Sequence, residues 1–559
     1  MSVKRPLVNL CVAAFAGILF YDIYEYSSLC AVLFAALFFL LVFIISGKKM
    51  MFVCMIMMSV ALADTYVYYN FYEEGRMLKV SVTDVSKDDI YGDLQGRRVQ
   101  IIGEKHNLYK GDDYVVTGFY KNSNDIEKGI CGIVNVEKVI SRKQTLKGCM
   151  ARFNDKIYER LKESIGERDT SIVMSAAFGN KDYISEDDKD TLNEFGVSHI
   201  ISVSGFHISL IYMILLKISG FYVSTIATFL YVIFTGSPPS ALRAFFMMSV
   251  LMLSKKAMKN YDAVSSLCLS ALILVLYKPY NLFSIGFLLS YAAALGIILF
   301  HRKIRYAMYK LPERIGEAVS ISLAAQVFAF PIIALCLKDV SLNFIWGNLF
   351  LVPFFSIMII LGDFSIAAYF IEPVFKILCI FIKVNITAIR GCIFLLDKIS
   401  LPMLRVNVSI VCVYCILLIC AYFYFNGFKK LKYAPIPLLF YMLFSMYNFN
   451  PKITFVRQKY DKGVYIESGF SKMIILKKSQ YNNFNYLDYN EKIYLDNGGY
   501  IKIGNSVFCY DKTLSNMYIR NKSGKVNIKW LDKDKKRSSD YDIIDIDENG
   551  GTIYLNKIN

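Results

Sequence analysis

The sequence predicts a polytopic α-helical membrane protein with an extracellular small β domain and a small β-rich tail. Three observations carry that prediction. Of 559 residues, 55% are hydrophobic and 19% charged, and mean hydropathy is +0.41, which is the composition of a multispanning chain. Apolar runs long enough to cross a bilayer as helices recur along it. Hydropathy drops abruptly twice, over 73–145 and again after 448.

Residues 1–72 hold three apolar runs, near 6–21, 28–46 and 50–70. They follow one another too closely for the first to read as a cleaved leader. Residues 73–145 show short alternating runs, among them Leu78–Val82, Arg98–Ile102, Asp113–Gly118 and Gly132–Val136, separated by glycine-containing turns. Four or five such strands predict a small barrel or sandwich. Residues 146–195 read as an amphipathic helical linker, with Ile157, Leu161 and Ile165 on one face. Residues 196–448 are a second membrane domain, with runs near 197–216, 220–235, 240–254, 263–277, 283–300, 316–336, 343–371, 374–396, 408–426 and 433–447. The run 343–371 is long for one helix and Asp363 interrupts it, which predicts a break or two segments. Residues 449–559 are rich in Tyr, Asn, Lys and Ile and predict strands.

The net charge of +17 reflects lysine and arginine clustered between spans. Such a bias follows from the positive-inside rule and does not by itself indicate a nucleic-acid partner. Lys4-Arg5, Lys48-Lys49, Lys255-Lys256-Lys259, Arg302-Lys303-Arg305 and Lys429-Lys430-Lys432 mark cytoplasmic loops, which puts residues 73–195 and the tail outside. The segment 372–405 fits this scheme poorly, because Lys376, Lys383, Arg390, Lys398 and Arg405 are spread along it; an odd or interfacial helix is expected there. The thirteen cysteines are scattered and read mostly as small buried hydrophobes. Cys131 and Cys149 lie in the region assigned outside, where a disulfide between them would be permitted.

Two polar constellations stand out. The first is the segment from Phe195 to Ser209, with His199, Ser202, Ser204, Gly205 and His207 at the head of an apolar run. Ionisable groups entering a bilayer are costly, so such a cluster points to a lined pathway or site. If the helix runs on from 197, His199 and His207 share a side; if Ser204-Gly205 break it, carbonyls face a polar cavity. Packing histidines bonded to carbonyls are the structural alternative. The second is Thr235-Gly-Ser237-Pro238-Pro239-Ser240-Ala-Leu-Arg243. Ser237 is the expected N-cap and Pro238 the first helical residue. Free amides there, with the Arg243 guanidinium, would suit a phosphate. An arginine snorkelling to the interface is the plainer reading.

These segments resemble the motifs of the ComEC-type competence family. His199-Ile-Ile-Ser-Val-Ser-Gly-Phe-His207 is similar to its His-containing Val-Ser-Gly segment, and Gly236-Ser-Pro-Pro-Ser240-Ala-Leu-Arg243-Ala to its Ser-Ala-x-Arg-Ala motif. Gly286-Phe-Leu-Leu-Ser290-Tyr, Ala324-Ala-Gln326 with Pro331, Ser341-Leu-Asn343 and Asn348-Leu-Phe-Leu-Val-Pro353 follow in family order. Leu288 stands where the family usually has glutamine.

The resemblance implies a membrane channel that takes up single-stranded DNA across the cytoplasmic membrane in natural transformation. It implies an OB-like fold for 73–145, and a DNA pathway along His199, Ser202, Ser204, Gly205, His207, Ser240, Arg243, Gln326, Asn343 and Asn348. Arg97, Arg98, Lys105, Tyr109, Lys110, Tyr120 and Lys121 would offer basic and aromatic groups to DNA from the β domain. The partners implied are single-stranded DNA and membrane lipid, with room for a DNA receptor, a cytoplasmic DNA translocase and a second copy of the chain.

The tail departs from the family. Many members end in a metallo-β-lactamase-like domain of more than two hundred residues. Here no histidine follows His301 and the tail is about half that size. A hydrolytic metal site needs clustered His and Asp ligands, so the tail reads as a degenerate remnant of such a domain, with Arg457–Gly463 a worn trace of its opening strand and loop. The expectation is a chain without enzymatic activity, metal or cofactor. Two rivals have other chemistry: a transporter or flippase for another anionic polymer or lipid, and a membrane hydrolase with Ser204 as nucleophile and a histidine as base. The second lacks triad geometry, since a Ser and a His three residues apart on a helix do not make one.

Overall fold

A computed structural model describes residues 5–85, 89–103, 108–180, 183–201, 203–406, 408–425, 433, 435–457, 462–469, 471–476, 491–494, 499–503, 506–510, 517–521, 524–530, 543–546 and 551–554. Ser202, Lys105, Lys4, Lys459, Asp461 and the lysines at 429, 430 and 432 lie outside them. The chain forms two units, one of residues 1–332 and 341–402, the other of 333–340 and 403–559. Seven helices among the described residues are long and apolar enough to cross a membrane.

The first unit opens with α1 (Pro6–Tyr26) and α2 (Ser28–Tyr69). At 42 residues α2 would be about 63 Å long, twice the hydrocarbon thickness. It folds back at Gly47, whose φ of 79° and ψ of 174° belong to a region that side chains avoid. Phe38 and Val42 then pack beside Met50, Cys54 and Met57. The second half of α2 runs parallel to α1: the Cys54 thiol meets the Asn9 carbonyl and Asn70 donates to the Tyr21 hydroxyl. With α2 folded back at Gly47, α1 and α2 make three passes, in keeping with the three apolar runs of the sequence.

Strands β1 (Met77–Val85), β2 (Ile90–Leu94), β3 (Arg97–Gly103), β4 (Asp113–Asp125) and β5 (Ile130–Lys143) close a barrel in the order β1-β2-β3-β5-β4, with β3 and β5 parallel. This is the five-stranded Greek-key barrel of an OB-fold. Alternation puts Leu78, Val80 and Val82 inside with Val99, Ile101, Tyr114, Val116 and Val134. Tyr120, expected on the DNA-facing surface, obeys the same alternation: it points inward, and its hydroxyl donates to the Cys131 carbonyl at 2.8 Å. The disulfide permitted between Cys131 and Cys149 is not formed. Cys131 is a fully buried free thiol bonded to the Tyr68 carbonyl, whereas Cys149 is a free, exposed thiol.

A buried carboxylate ties the barrel to α3 (Leu146–Ile165). Asp112 is fully buried and receives Arg142 at 2.7 Å, Arg152 at 2.6 Å and the Thr145 amide at 3.1 Å. Thr145 caps α3 by accepting from the Gly148 amide. Burial alone would push the Asp112 carboxyl up, but the amide and the two guanidinium groups outweigh it and hold it below the usual carboxylate value.

Next come α4 (Glu167–Phe178), buried along most of its length, and the short α5 (Glu186–Glu194). A 3-10 turn over Ser198–Ile201 precedes α6 (Gly205–Phe234), so the membrane helix begins eight residues later than the apolar run suggested. Like α2, α6 folds back, here at Gly220 (φ 74°, ψ 179°). Tyr212 and Thr225 would lie about 20 Å apart on one straight helix, yet their hydroxyls meet at 2.8 Å. Helices α7 (Pro239–Lys256), α8 (Ala263–Tyr277), α9 (Ile285–Ala307) and α10 (Glu313–Cys336) follow. Pro238, not Ser237, precedes the first turn of α7, because Ser237 takes a left-handed φ of 56° to close the turn from α6.

The run 343–371 breaks as expected, though not at Asp363. One turn, α11 (Phe344–Trp346), passes through a π-helical turn over Gly347–Leu351 into α12 (Val352–Ala368), and Asp363 lies within regular helix. Helix α13 (Glu372–Asp397) returns antiparallel to α12, with the Asn385 amide donating to the Phe354 carbonyl at 3.0 Å. The core of this half joins α3, α4, α12 and α13 through Ile157, Leu161, Val173, Phe355, Met358, Phe375, Ile382 and Ile386.

In the second unit β6 (Asp339–Val340) pairs with β7 (Leu404–Arg405), and α14 (Val408–Phe425) and α15 (Pro435–Met446) precede the tail. Strands β8 (Asn448–Arg457), β9 (Lys462–Gly469), β10 (Ser471–Leu476), β11 (Glu491–Tyr494) and β17 (Gly551–Tyr554) form one sheet, in the order β11-β10-β9-β8-β17. Strands β12 (Gly499–Ile503), β13 (Ser506–Tyr510), β14 (Met517–Asn521), β15 (Gly524–Trp530) and β16 (Ile543–Ile546) form the other, in sequential order. The two share one apolar core through Ile453, Phe455, Ile466, Phe508, Ile519 and Ile528. Each sheet holds one parallel pair, β10 with β11 and β15 with β16.

Candidate functional site

The two polar constellations of the sequence meet where α6 and α7 begin. Ser204 caps α6: its hydroxyl accepts from the Phe206 amide, and its own amide donates to His207 Nδ1 at 3.1 Å. With Nδ1 accepting, the ring proton lies on Nε2 and donates to the Ala176 carbonyl of α4 at 2.7 Å. His207 is 1% exposed. Both its nitrogens are therefore used within the fold, locking the start of α6 to the end of α4. Ser240, in the first turn of α7, donates to the Val203 carbonyl at 2.8 Å and holds the two helix starts side by side.

Arg243 projects from the second turn of α7 into this junction. Its Nε donates to Ser290 Oγ at 2.8 Å, Nη1 meets only the Met247 sulfur at 3.8 Å, and Tyr291 lies 6.0 Å from the guanidinium. Gly205 makes room for it, since a Cβ there would come 2.9 Å from Nη2. No acidic side chain among the described residues pairs with Arg243, and it is half-buried. A guanidinium carries five donors, and here one of them is well matched by oxygen. Two helix N-termini add their positive ends. The junction is thus a positively charged recess short of an anion.

The remaining pathway candidates lie elsewhere. His199, on the 3-10 turn, is exposed. Asn343 is 1% exposed, and its side chain bonds the Leu401 amide and carbonyl and the Glu194 carbonyl, a backbone clamp. Asn348 donates to Ser322 of α10 at 3.0 Å, and its carbonyl oxygen has no partner among the described residues. Gln326 is half-buried on α10.

On the barrel, Arg97 donates to the Tyr68 and Val67 carbonyls that end α2 and lies over Phe71. Arg98 lies over Tyr91, Lys110 pairs with Asp84, and Tyr109 supports Arg142. Lys121 and Tyr109 remain exposed.

Two groups were not selected from sequence. Ser290, the hydrogen-bond partner of Arg243, sits inside the third family-like motif, so the signal was present. Tyr231 reaches Asp363 at 2.9 Å and the Ala177 carbonyl at 3.3 Å. Residues 132 apart in sequence leave no local signal for such a pair. Among the described residues no group of His, Cys, Asp and Glu could hold a metal ion.

Comparison with known proteins agrees with the motifs. Residues 177–428 match the Competence family, described as "Competence protein". The chain is 29% identical over 202 residues to "ComE operon protein 3" of Bacillus subtilis (strain 168), an alignment that takes in 34% of this chain and 26% of the relative. The match thus spans about a quarter of that relative's length. No solved structure matches. The ordered motifs, the barrel and the helices after it agree with these matches: the chain is a membrane protein whose residues 177–428 resemble the ComEC-type competence family.

Proposed function

We propose that the chain serves DNA uptake in competence as the path by which a single strand crosses the cytoplasmic membrane. The observation that carries this reading is Arg243: a cation without an acidic partner among the described residues, set where two helices begin and packed against Gly205, whose missing Cβ leaves it room. A phosphodiester supplies the missing anion, and a forked guanidinium grips it in two directions. The family match supports DNA as the cargo, and Tyr109 and Lys121 leave stacking and charged groups on the barrel for capture.

The barrel and the tail face outward in this reading, which rests on the distribution of lysine and arginine between spans. The tail is the eroded counterpart of a metallo-β-lactamase-like domain and has no nuclease activity; its two facing sheets support the origin, and the lack of histidine after His301 supports the loss. Deletion of the gene, scored as transformation frequency with labelled DNA, tests the function. Unchanged uptake in the deletion strain overturns it, and restoration by the wild-type chain but not by Arg243→Ala supports both function and site.

A further inference from the structure

Helix α13 carries a row of cations that the recess at Arg243 does not involve. Lys376, Lys383 and Arg390 recur every seven residues, two helical turns, so they lie in one stripe with a rise of about 10.5 Å between neighbours. All three are exposed, Lys376 by 71% and Arg390 by 47% of the side chain. The end members have acidic partners: Lys376 pairs with Glu372 and Arg390 with Asp169. Lys383, the middle one, has no ion pair among the described residues.

The rest of the helix says what the stripe faces. Phe375, Cys379, Ile382, Ile386 and Ile389 are buried against the bundle. Val374, Ile377, Ile380, Phe381, Val384, Phe394 and Leu395 form an exposed apolar face suited to lipid that reaches the edge of the stripe. The cations lie between these faces, on the side of α3 and α4: Arg160 of α3 pairs with Glu372, and Asp169 of α4 with Arg390. Helix α3 is itself polar on its open side, with Lys156, Glu159 and Glu163 exposed. Because α13 is antiparallel to the membrane-length segment Phe344–Ala368, it crosses with it, and the pairs Arg160–Glu372 and Asp169–Arg390 then bring α3 and the start of α4, which the charge rule put outside, into the membrane beside it. Lys383 is then about 16 Å from one end of the helix and about 21 Å from the other, too far to snorkel to either surface. A lysine held at that depth against lipid is strongly disfavoured, whereas one facing water and a polar helix is not.

We infer that the α13 stripe lines a water-filled groove along α3 in which Lys376, Lys383 and Arg390 hold phosphodiesters at intervals along the passing strand, with Lys383 the mid-membrane contact. This rests on the DNA-passage reading and adds a second stretch of path to the recess at Arg243.

The test uses the full chain in membrane vesicles, with cysteine placed in turn at 376, 383, 390 and, on the lipid face, 384, each read over the labelling of the wild-type chain. The probe is a charged, membrane-impermeant methanethiosulfonate, with and without a single-stranded oligothymidylate. Lys383→Cys should label at a rate close to Lys376→Cys and be slowed about tenfold by the oligonucleotide, while Val384→Cys reacts only with a lipid-soluble maleimide. If position 383 reacts only with the lipid-soluble reagent, or with neither, the stripe faces bilayer or protein and the inference falls. Labelling that DNA does not slow overturns it too, and leaves the Arg243 reading standing if Arg243→Ala still abolishes uptake.

Discussion

At the scale of single residues, two side chains that the sequence put on one path have different tasks. Arg243 keeps unspent donors in an electropositive recess, so its loss should remove anion binding and leave packing intact. Arg243→Ala is expected to lower uptake of labelled DNA by about tenfold or more at normal membrane abundance, with Arg243→Lys restoring only part, because an ammonium lacks the guanidinium fork. Normal uptake in Arg243→Ala would remove the recess from the path. His207, by contrast, spends both nitrogens on the fold. His207→Ala leaves the Ser204 amide and the Ala176 carbonyl without partners, at a cost of about 1–3 kcal/mol for each buried group left unsatisfied. Its signature should be a lower melting temperature and reduced abundance in the membrane. If His207→Ala is as abundant and stable as wild type but fails to take up DNA, the ring acts on cargo after all. The motif was legible in the sequence because both histidines stand in an apolar run; their separate tasks were not, since the partner carbonyl comes from α4, thirty-one residues away.

At the scale of elements, glycines decide what hydropathy could only delimit. The runs near 197–216 and 220–235 read as two spans, and Gly220 turns one assigned helix into that antiparallel pair. Tyr212→Cys combined with Thr225→Cys should therefore be joined in membranes by a short bis-methanethiosulfonate reagent that spans a tyrosine's reach. On a continuous helix those positions would be about 20 Å apart and could not cross-link. Helix α6 starts eight residues after the apolar run does, because such a run does not distinguish a half-buried 3-10 turn from the helix that follows it. The barrel was more legible, as strand alternation is strict where one face is buried; Tyr120 falls inside by the same rule. Its attachment to α3 hangs on Asp112. Asp112→Asn should cost about 3 kcal/mol at neutral pH, since it breaks a buried pair shared by two guanidinium groups. The folded carboxyl is held below its ordinary value of 3.8, so the stabilisation is complete above that value and drains away only as pH falls through the lower folded one. The gap in melting temperature between wild type and Asp112→Asn should be full at pH 5 and close in stronger acid; a gap that widens on acidification would contradict the assignment.

At the scale of the whole molecule, fold class was readable from hydropathy and charge alone, because membrane solvation forces each spanning segment to be apolar and closed in its hydrogen bonding. What joins distant segments was not: the π turn after α11, the α12–α13 pairing and the Asp363–Tyr231 contact depend on packing between residues far apart in sequence. The tail is where composition speaks most directly to chemistry. Metal-dependent cleavage of DNA needs a cluster of His and Asp ligands that lowers the pKa of a bound water, and from Ala307 onward the chain offers no histidine at all. Aspartates remain, but carboxylates alone favour hard, weakly held cations with several waters. The full-length chain purified in detergent should accordingly leave both single- and double-stranded DNA intact with added zinc, manganese or magnesium, and deletion of residues 449–559 should not change that result. Cleavage that a chelator abolishes and the deletion removes would show that the tail builds a metal site without histidine. Cleavage that survives the deletion would place hydrolytic chemistry in the membrane unit, where Ser204 and His207 already meet at 2.8 Å; in that case Ser204→Ala should abolish it.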